Sequence, residues 1–196
     1  MRPGAVIEVT DGVYAALASY DEDTGAAPRD RRVREHHAVR ELLRWLLARV
    51  GGATATPVAT RPGGQPFLPD RPELGVSLSH SGPFLAAAVG AGCDVGVDVQ
   101  RPERVPPGLL RRCCDPLTRA ALAALPPRTR DLEFAWIWTA QEACVKATGD
   151  GLAGRPWTVP VALGQERGGW HDVRWRSLRY RSVTPLTCAY RRRTTA

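Results

Sequence analysis

The feature that most constrains the fold is a pattern that occurs twice: a long amphipathic segment, glycine at its end, and then short apolar segments. In residues 31–50 apolar side chains recur at three- and four-residue spacing before two glycines, and residues 131–148 are followed by Gly149. Such spacing predicts helices that end at glycine. Alternating valines and turn residues after each helix predict strands. The repetition indicates two similar lobes, with a break near residues 101–108.

Length and composition exclude several classes of protein. The 196 residues suffice for one ordinary domain or two small lobes. There is no run of 18 apolar residues, so no membrane span is predicted, and the first 20 residues do not have the pattern of a secretion signal. The five cysteines are odd in number and irregularly spaced, without C-x-x-C. We therefore expect neither a zinc site nor a disulfide framework, and a reducing cytoplasm fits.

Lys146 is the only lysine among 27 basic residues, so the other 27 − 1 = 26 are arginine. In a chain with this bias, arginine replaces lysine wherever only positive charge matters. A retained lysine therefore indicates a site with room for a compact ammonium but not for a planar guanidinium. Chance survival of one lysine is the alternative. The net charge of +7 suits an acidic partner, whether nucleic acid, a phosphorylated small molecule or an acidic protein.

The second predicted helix carries Trp138, Glu142 and Lys146 on one face, because they are four residues apart. An exposed Glu–Lys pair at this spacing is common and contributes only about 0.3–0.5 kcal/mol. The tryptophan and the neighbouring Phe134 indicate instead that this face is partly covered. A carboxylate and an ammonium there would need a shared ligand or partner.

Acidic side chains alternate with valines in "CDVGVDVQ", residues 93–100. A strand would place Asp94, Asp98 and Gln100 on one face and the valines on the other. One interpretation is the solvated face of a half-buried strand. The other is a carboxylate held on a rigid element for Mg²⁺, which needs one or two carboxylates when waters and phosphate oxygens complete its shell. Glu142 would supply the second carboxylate.

The segment "VSLSHSG", residues 76–82, places Ser77, Ser79 and Ser81 on one strand face and His80 on the other. The hydrolase pattern G-x-S-x-G is absent, which argues against a nucleophilic serine. The hydroxyls and the imidazole are better interpreted as ligands of phosphate or ribose, with a histidine packed between strands as the alternative. Neither a Walker A pattern nor G-x-G-x-x-G after a strand occurs, so no P-loop or Rossmann site is predicted.

Three segments, "VSLSHSG", "VGVDVQ" and "FAWIWTAQEACVKATGDGL", resemble the 4′-phosphopantetheinyl transferases of the Sfp type in their order and spacing. That family has an "N-x-S-H-S-G"-like segment, a "G-I-D-I-E"-like strand and a "W-T-x-K-E-x-x-x-K-x-x-G-x-G-L"-like helix. A further segment, "GGQPFLPD", looks like its "G-K-P-x-x" piece. The resemblance covers residues 31–155. The helix motif is specific because it fixes several positions together: Trp138, Glu142, Lys146, Gly149, Gly151 and Leu152.

The resemblance implies an enzyme that moves the phosphopantetheine arm of coenzyme A onto a serine of an acyl or peptidyl carrier protein and releases 3′,5′-ADP. It implies Mg²⁺ as cofactor and a cytoplasmic monomer that binds neither nucleic acid nor membranes. The implied fold is α+β, a pseudo-twofold pair of similar lobes, each a small, mostly antiparallel sheet packed with a long helix. We expect residues 1–100 to form the N-terminal lobe and residues 101–196 the C-terminal lobe, with the active site in the cleft between them.

The resemblance also implies roles for individual residues. Asp98 corresponds to the strand aspartate that binds Mg²⁺, and Gln100 lies beside it in the expected metal site. Glu142 corresponds to the helix glutamate, a second metal ligand and the base for the carrier serine, directly or through water. With Lys146, which would contact the pyrophosphate, these carboxylates form the expected catalytic set. The residues expected to bind coenzyme A include Lys146 at the pyrophosphate. Ser79 and His80 are expected at the 3′-phosphate end, helped by Arg61 and the loop to Gln65.

Three glutamines depart from the family's pattern. Gln100 stands where many relatives have a second acidic residue, and Gln65 and Gln141 stand where lysine is usual. They motivate the alternative of a catalytically weak member that binds coenzyme A or a carrier protein without efficient turnover. An alternative from another class is a basic module that binds nucleic acid. The arginine-rich tail favours it, and the lack of a helix-turn-helix, zinc or RNP pattern opposes it.

Overall fold

The computed structural model describes residues 1–20, 28–51 and 56–193, and the chain has an α+β fold there. The strands are β1 (Arg2–Thr10), β2 (Val13–Ser19), β3 (Ala59–Thr60), β4 (Pro66–Phe67), β5 (Leu74–Ser81), β6 (Phe84–Ala91), β7 (Cys93–Val99), β8 (Arg167–Trp170), β9 (Val173–Ser177) and β10 (Leu186–Arg192). The helices are α1 (Pro28–Val50), α2 (Pro107–Cys113), α3 (Pro116–Ala123) and α4 (Pro127–Thr148), followed by 3-10 turns at Gly151–Gly154 and Pro156–Thr158.

Two four-stranded antiparallel sheets form the centre of the described part of the chain. The first has the strand order β1-β2-β6-β5 and the second β7-β10-β9-β8. The inner faces of the two sheets pack against each other, with valines of β7 against alanines of β2 and β6. The outer faces are covered by α1 and α4 respectively. The layers therefore follow the order helix, sheet, sheet, helix, which confirms the predicted fold class.

The first long helix forms as its apolar spacing predicts. Leu42, Leu43 and Leu46 are fully buried against Leu85 and neighbouring residues of the first sheet. Burial of one such leucine contributes roughly 1.5–3 kcal/mol relative to its exposure. The helix begins three residues earlier than predicted, and its packing, more than its intrinsic propensity, holds it in place.

The second long helix packs unusually close to its sheet. A Cβ atom built at Gly96 of β7 would lie 2.0 Å from the carbonyl oxygen of Ala143 in α4, so only glycine permits this approach. The helix ends at Gly149, whose φ of 83° is the left-handed conformation predicted for its cap. This close contact brings the polar side chains of β7 and α4 to the same place.

The apolar residues of "TVPVAL", residues 158–163, predict one of the strands after the second long helix, and this prediction is wrong. This segment contains Pro160, which has no backbone N–H to donate to a neighbouring strand. It forms the end of a 3-10 turn and then an irregular stretch. Val159 and Val161 are nevertheless buried in the core beneath α4, so the apolar pattern reported burial and not strand structure.

The sheets divide between β6 and β7, so β7 lies within residues 1–100 but pairs with β10 of the second sheet. The lobe limits at residues 1–100 and 101–196 stay a prediction. All five cysteines are buried and free. Among the described residues, no helix combines the length and the apolar character that a membrane crossing requires.

Candidate functional site

The two sheets meet where the edge strand β5 runs beside the edge strand β7. Serine hydroxyls on alternate residues of β5 accept hydrogen bonds from backbone N–H groups of β7 and of the residue shortly after it. Because strand side chains alternate, all three hydroxyls point towards the neighbouring strand. The bonds run from the N–H of Val97 to Ser77 (3.0 Å), of Val99 to Ser79 (3.4 Å) and of Arg101 to Ser81 (2.9 Å).

Asp98 is the buried carboxylate at this junction, with only 5% of its surface exposed. Its Oδ1 accepts a hydrogen bond from the hydroxyl of Ser79 (2.7 Å) and another from Nζ of Lys146 (2.7 Å). The ammonium of Lys146 also donates to the carbonyl oxygen of Val97 (3.1 Å). The structure thus joins the two sheets and α4 through one carboxylate oxygen. The lone lysine is held by two acceptors of β7, the carboxylate of Asp98 and a backbone carbonyl.

Glu142 lies one helical turn before Lys146 on α4 and is partly buried. Its Oε1 is buried and has no hydrogen-bond partner among the described residues. The pKa of Glu142 is raised to about 7, first by burial and then by the charge of Asp98, although the charge of Lys146 acts to lower it. Buried polar atoms are rarely left without a partner. Glu142 therefore has the properties of a group that completes its contacts with a ligand.

The donor set at this junction fits magnesium. Asp98 and Glu142 provide carboxylate oxygens from two rigid elements; one Glu142 oxygen is unpartnered, and both hydrogen bonds to Asp98 use Oδ1 and leave Oδ2. Mg²⁺ is commonly held by one or two carboxylates together with waters and phosphate oxygens. No cluster of three or more His, Cys, Asp or Glu side chains suited to a metal occurs in the described residues. Two carboxylates would leave most coordination positions of Mg²⁺ to waters and phosphate oxygens.

Gln100, the third predicted metal ligand, lies just beyond the end of β7 and is partly buried. Its Nε2 donates a hydrogen bond to the backbone carbonyl of Arg101 (3.2 Å). This bond uses the amide nitrogen, so the amide oxygen is the atom that a metal would contact. Its role as a ligand stays a prediction.

His80 projects from β5 on the side opposite to the serines, as its position in the strand predicts. Its Nδ1 lies 3.6 Å from a carboxylate oxygen of Glu35 on α1, and its ring centroid is 5.9 Å from that of His36. The pKa of His80 is lowered, because the effect of partial burial outweighs the opposing effect of the nearby Glu35. The structure therefore places His80 beside α1, whereas Ser79 on the other face contacts Asp98.

The predicted binding loop lies beside the lysine. Gln65, Ser77 and Lys146 line one cavity of about 180 Å³, together with glycines of the loop and of the end of α4. A larger cleft of about 530 Å³ is lined by Arg61 and Gln65 and also by Arg191. The guanidinium of Arg61 lies over the ring of Phe67, 4.7 Å from its centroid. Of the residues predicted to bind coenzyme A, Gln65 is the one that lines both the cavity and the cleft.

Sequence reasoning missed the structural role of Gln141, which it treated only as a lost lysine. The residue is 1% exposed, and its Nε2 donates to the backbone carbonyls of Cys113 (2.8 Å) and Val159 (3.0 Å). These bonds attach α2 and the segment after the second 3-10 turn to α4, next to Glu142. Its position on the apolar side of the helix was a signal of burial. The two carbonyl partners had no signal in the sequence.

A shallow groove of about 150 Å³ adjoins the carboxylate site, between the segment after β7 and α4. It is lined by Gln100, Val105, Leu109, Phe134 and Trp138, among others. Trp138 is half-buried and packs on the core beneath α4. The predicted covered face of α4 is therefore confirmed for Trp138, and the groove offers apolar surface within reach of Gln100.

Residues 94–179 match the family model described as the 4′-phosphopantetheinyl transferase superfamily. A 4′-phosphopantetheinyl transferase of Bacillus subtilis is 29% identical over 93 residues, which is 46% of this chain and 40% of that protein. The 4′-phosphopantetheinyl transferase HetI of a Nostoc species is 37% identical over 95 residues, again 46% and 40% of the two chains. The match thus spans less than half the length of these relatives. The segment of the family match contains Asp98, Glu142 and Lys146, whereas Ser79 and the loop to Gln65 lie outside it.

Proposed function

We propose that this protein is a 4′-phosphopantetheinyl transferase of the Sfp type that modifies an acyl or peptidyl carrier protein. The observation that carries the proposal is the junction of Asp98, Glu142 and Lys146, which lies inside the matched segment and beside a cavity. The acceptor serine oxygen would form a bond to the phosphorus that carries pantetheine. The bond from that phosphorus to the bridging oxygen would break, and 3′,5′-ADP would leave.

The carboxylates of Asp98 and Glu142, with Gln100 beside them, would hold Mg²⁺ together with the pyrophosphate of coenzyme A. When bound, the ion supplies charge neutralisation at the pyrophosphate. The protein's own contribution is to hold both carboxylates on packed elements, so that little rearrangement is needed when the ligand arrives. The unpartnered Oε1 of Glu142 supports this role.

Glu142 would also accept the proton of the acceptor serine, directly or through a water. A base works best when its pKa is near the working pH, and burial raises the pKa of Glu142 to about 7. At neutral pH a substantial fraction of the carboxyl is ionised and able to accept a proton. An exposed glutamate would be ionised throughout but would be a weaker base.

Lys146 would place its ammonium beside the pyrophosphate. Its Nζ already donates to Asp98 and to a backbone carbonyl of β7, which uses two of its three N–H groups. The side chain lies between α4 and β7, which the glycine contact at Gly96 holds close together. A compact ammonium fits this geometry, and a planar guanidinium would need more room.

Coenzyme A would occupy the cleft between the proposed lobes, residues 1–100 and 101–196. The loop from Arg61 to Gln65 and the side chain of Lys146 lie around adjoining hollows there, which supports this location. His80 on the α1 side would contact the 3′-phosphate. Because carrier domains of this type are acidic, the net charge of +7 would steer them towards the enzyme. We propose a cytoplasmic location, since the free buried cysteines suit a reducing compartment. We also propose that the protein is a monomer.

The direct test is the intact mass of an apo acyl carrier protein after incubation with coenzyme A, Mg²⁺ and this protein. We expect a gain of about 340 Da, the phosphopantetheine arm, with the wild type and no gain with Glu142→Gln. Glu41→Gln, a change at an exposed glutamate of α1, is the matched control and should transfer like the wild type. Absence of a mass gain with acyl and peptidyl carrier proteins alike would contradict the proposal.

A second candidate is a catalytically weak member that binds coenzyme A or a carrier protein. The neutral side chains of Gln65 and Gln100 favour it, because they reduce the charge available at the ligand and at the metal. Calorimetric binding of coenzyme A in the presence of Mg²⁺, without any mass gain of the carrier protein, would support this candidate over the first.

A further inference from the structure

We propose that Ser79 is a positioning residue that orients the carboxylate of Asp98, in addition to joining the two sheets. This inference rests on the proposed function, because it concerns how Asp98 meets the metal and the pyrophosphate. It assigns to Ser79 a role different from the contact with coenzyme A that its position in the motif predicts.

The single hydroxyl proton of Ser79 is already used within the protein. Its hydroxyl accepts from the backbone N–H of Val99 and donates to Oδ1 of Asp98 over 2.7 Å. A hydroxyl has a single proton to donate, so it cannot donate to a phosphate while it donates to Asp98. With only 7% of its surface exposed, Ser79 also has little access to a ligand in the cleft.

The two donors to Asp98 come from different layers of the fold and share one carboxylate oxygen. Ser79 belongs to β5 of the first sheet, and Lys146 belongs to α4 on the second. The last torsion of an aspartate is broad when nothing restrains it. Two donors on one oxygen restrain this torsion and leave the other oxygen, Oδ2, for a ligand. Partners of this kind orient a metal ligand and commonly account for 10- to 100-fold in metal affinity.

Ser77 is a natural control for this role. It lies two residues earlier on the same strand and is equally buried, with 4% of its surface exposed. It makes the same kind of bond across the junction, accepting from the N–H of Val97 over 3.0 Å. The bond from Ser79 to Asp98 has no counterpart at Ser77 among the described contacts. Replacing either serine by alanine removes one bond between the sheets. Only Ser79→Ala also removes one of the two donors to Oδ1 of Asp98.

The test is the affinity for Mn²⁺, a spectroscopic substitute for Mg²⁺, measured by the loss of the free-ion electron paramagnetic resonance signal with coenzyme A present. We expect Ser79→Ala to bind Mn²⁺ about 10- to 100-fold more weakly than the wild type. Because Ser77 lines the cavity beside Lys146, coenzyme A is kept saturating for each variant. At saturation the Mn²⁺ affinity of Ser77→Ala should stay within about threefold of the wild type, although thermal unfolding should show similar destabilisation in both variants. Ser79→Thr retains the hydroxyl and should recover most of the affinity. If Ser79→Ala does not fold, Ser79→Cys, which keeps the side-chain volume but donates weakly, takes its place.

Two results would overturn the inference. One is equal loss of Mn²⁺ affinity in Ser79→Ala and Ser77→Ala, which would mean that both serines act only by joining the sheets. The other is a raised KM for coenzyme A in Ser79→Ala with unchanged Mn²⁺ affinity, which would mean that Ser79 contacts the substrate. Either result with an active wild type leaves the proposed function intact. A wild type that neither binds Mn²⁺ nor modifies a carrier protein would remove the proposed function and this inference together.

Discussion

Each of the two long helices carries a glutamate that faces its sheet, and the two glutamates differ in whether their oxygens have partners within the protein. Glu35 on α1 accepts a hydrogen bond from the hydroxyl of Tyr20 (3.0 Å) and lies 3.6 Å from Nδ1 of His80. Glu142 on α4 has a buried oxygen with no partner in the described chain, and burial raises its pKa to about 7. The carboxylate of Glu35 on α1 has partners within the protein, whereas a buried oxygen of Glu142 on α4 is available to a ligand. The comparison teaches that similar helix-and-sheet units need not share chemistry.

Replacing each glutamate by glutamine tests this difference most strongly. We expect Glu142→Gln to reduce kcat for phosphopantetheine transfer by about 10²- to 10⁴-fold, the usual contribution of a positioned acid–base group. Glu35→Gln should reduce it by less than about tenfold, because its partners remain within the protein. Initial rates of carrier modification with saturating coenzyme A would measure both. Equal losses of kcat in the two variants would show that the two glutamates do not differ in function.

The basic residue in the last turn of each helix gives a second contrast. Lys146 has this position in α4, and Arg49 has it in α1, where its guanidinium lies over Trp45, 5.0 Å from the ring centroid. We expect Lys146→Arg to lower kcat/KM by about 100-fold, because the wider guanidinium does not fit between Asp98 and the backbone of β7. The reciprocal change, Arg49→Lys, should leave kcat/KM near the wild-type value. A fully active Lys146→Arg would show that only charge matters there.

The pH dependence of unfolding should reveal the burial of Glu142 without any ligand. Its pKa is raised from 4.5 to about 7, so between these values the folded protein keeps a proton that the unfolded chain releases. Stability therefore falls as pH rises from 4.5 to 7, and the loss is complete above 7, with a magnitude of about 3 kcal/mol.

Urea unfolding of the metal-free protein at several pH values would measure this effect. Glu142→Gln should lack the pH-dependent part and should be more stable than the wild type above pH 7. The matched change Glu35→Gln should keep the pH-dependent part. Parallel curves for the wild type and Glu142→Gln from pH 4.5 to 8 would contradict the burial argument.

The smallest of these effects concerns the neighbour of Glu142. Gln141→Leu introduces an apolar side chain of similar size and leaves the carbonyls of Cys113 and Val159 without their donor. Loss of such buried partners costs about 1–3 kcal/mol, which a shift of the urea midpoint would report. The control is Gln165→Leu, at an amide whose bonds are exposed and local, with an expected cost below about 0.5 kcal/mol. A midpoint unchanged in Gln141→Leu would mean that these bonds contribute nothing.

The sequence predicted both long helices and the faces of the serines of β5 and of the valines of β7, because apolar periodicity reports burial directly. It also brought Asp98, Glu142 and Lys146 into one hypothesis. It did not predict α2, because the prolines at which this helix begins indicate a break in the chain. A proline at the first turn lacks an N–H that the helix does not use, so the same residue ends one element and begins another.

The sequence could not show how the junction is built. The serines of β5 face the expected side, but their partners are backbone N–H groups of β7, which carry no sequence signal. The carbonyl of Val97 that accepts from Lys146 is hidden for the same reason. Gly96 was part of a motif, and only the close approach of Ala143 explains why glycine is needed there. These features depend on tertiary contacts between elements far apart in the chain.

The most direct measurement of the central claim is the amount of 3′,5′-ADP released from coenzyme A, by chromatography, as apo carrier protein is added in known amounts. We predict one 3′,5′-ADP for each carrier protein modified, with release that requires Mg²⁺ and stops when the carrier is consumed. Tight binding of coenzyme A with no 3′,5′-ADP released in the presence of carrier protein and Mg²⁺ would contradict the claim that the junction of Asp98, Glu142 and Lys146 catalyses transfer.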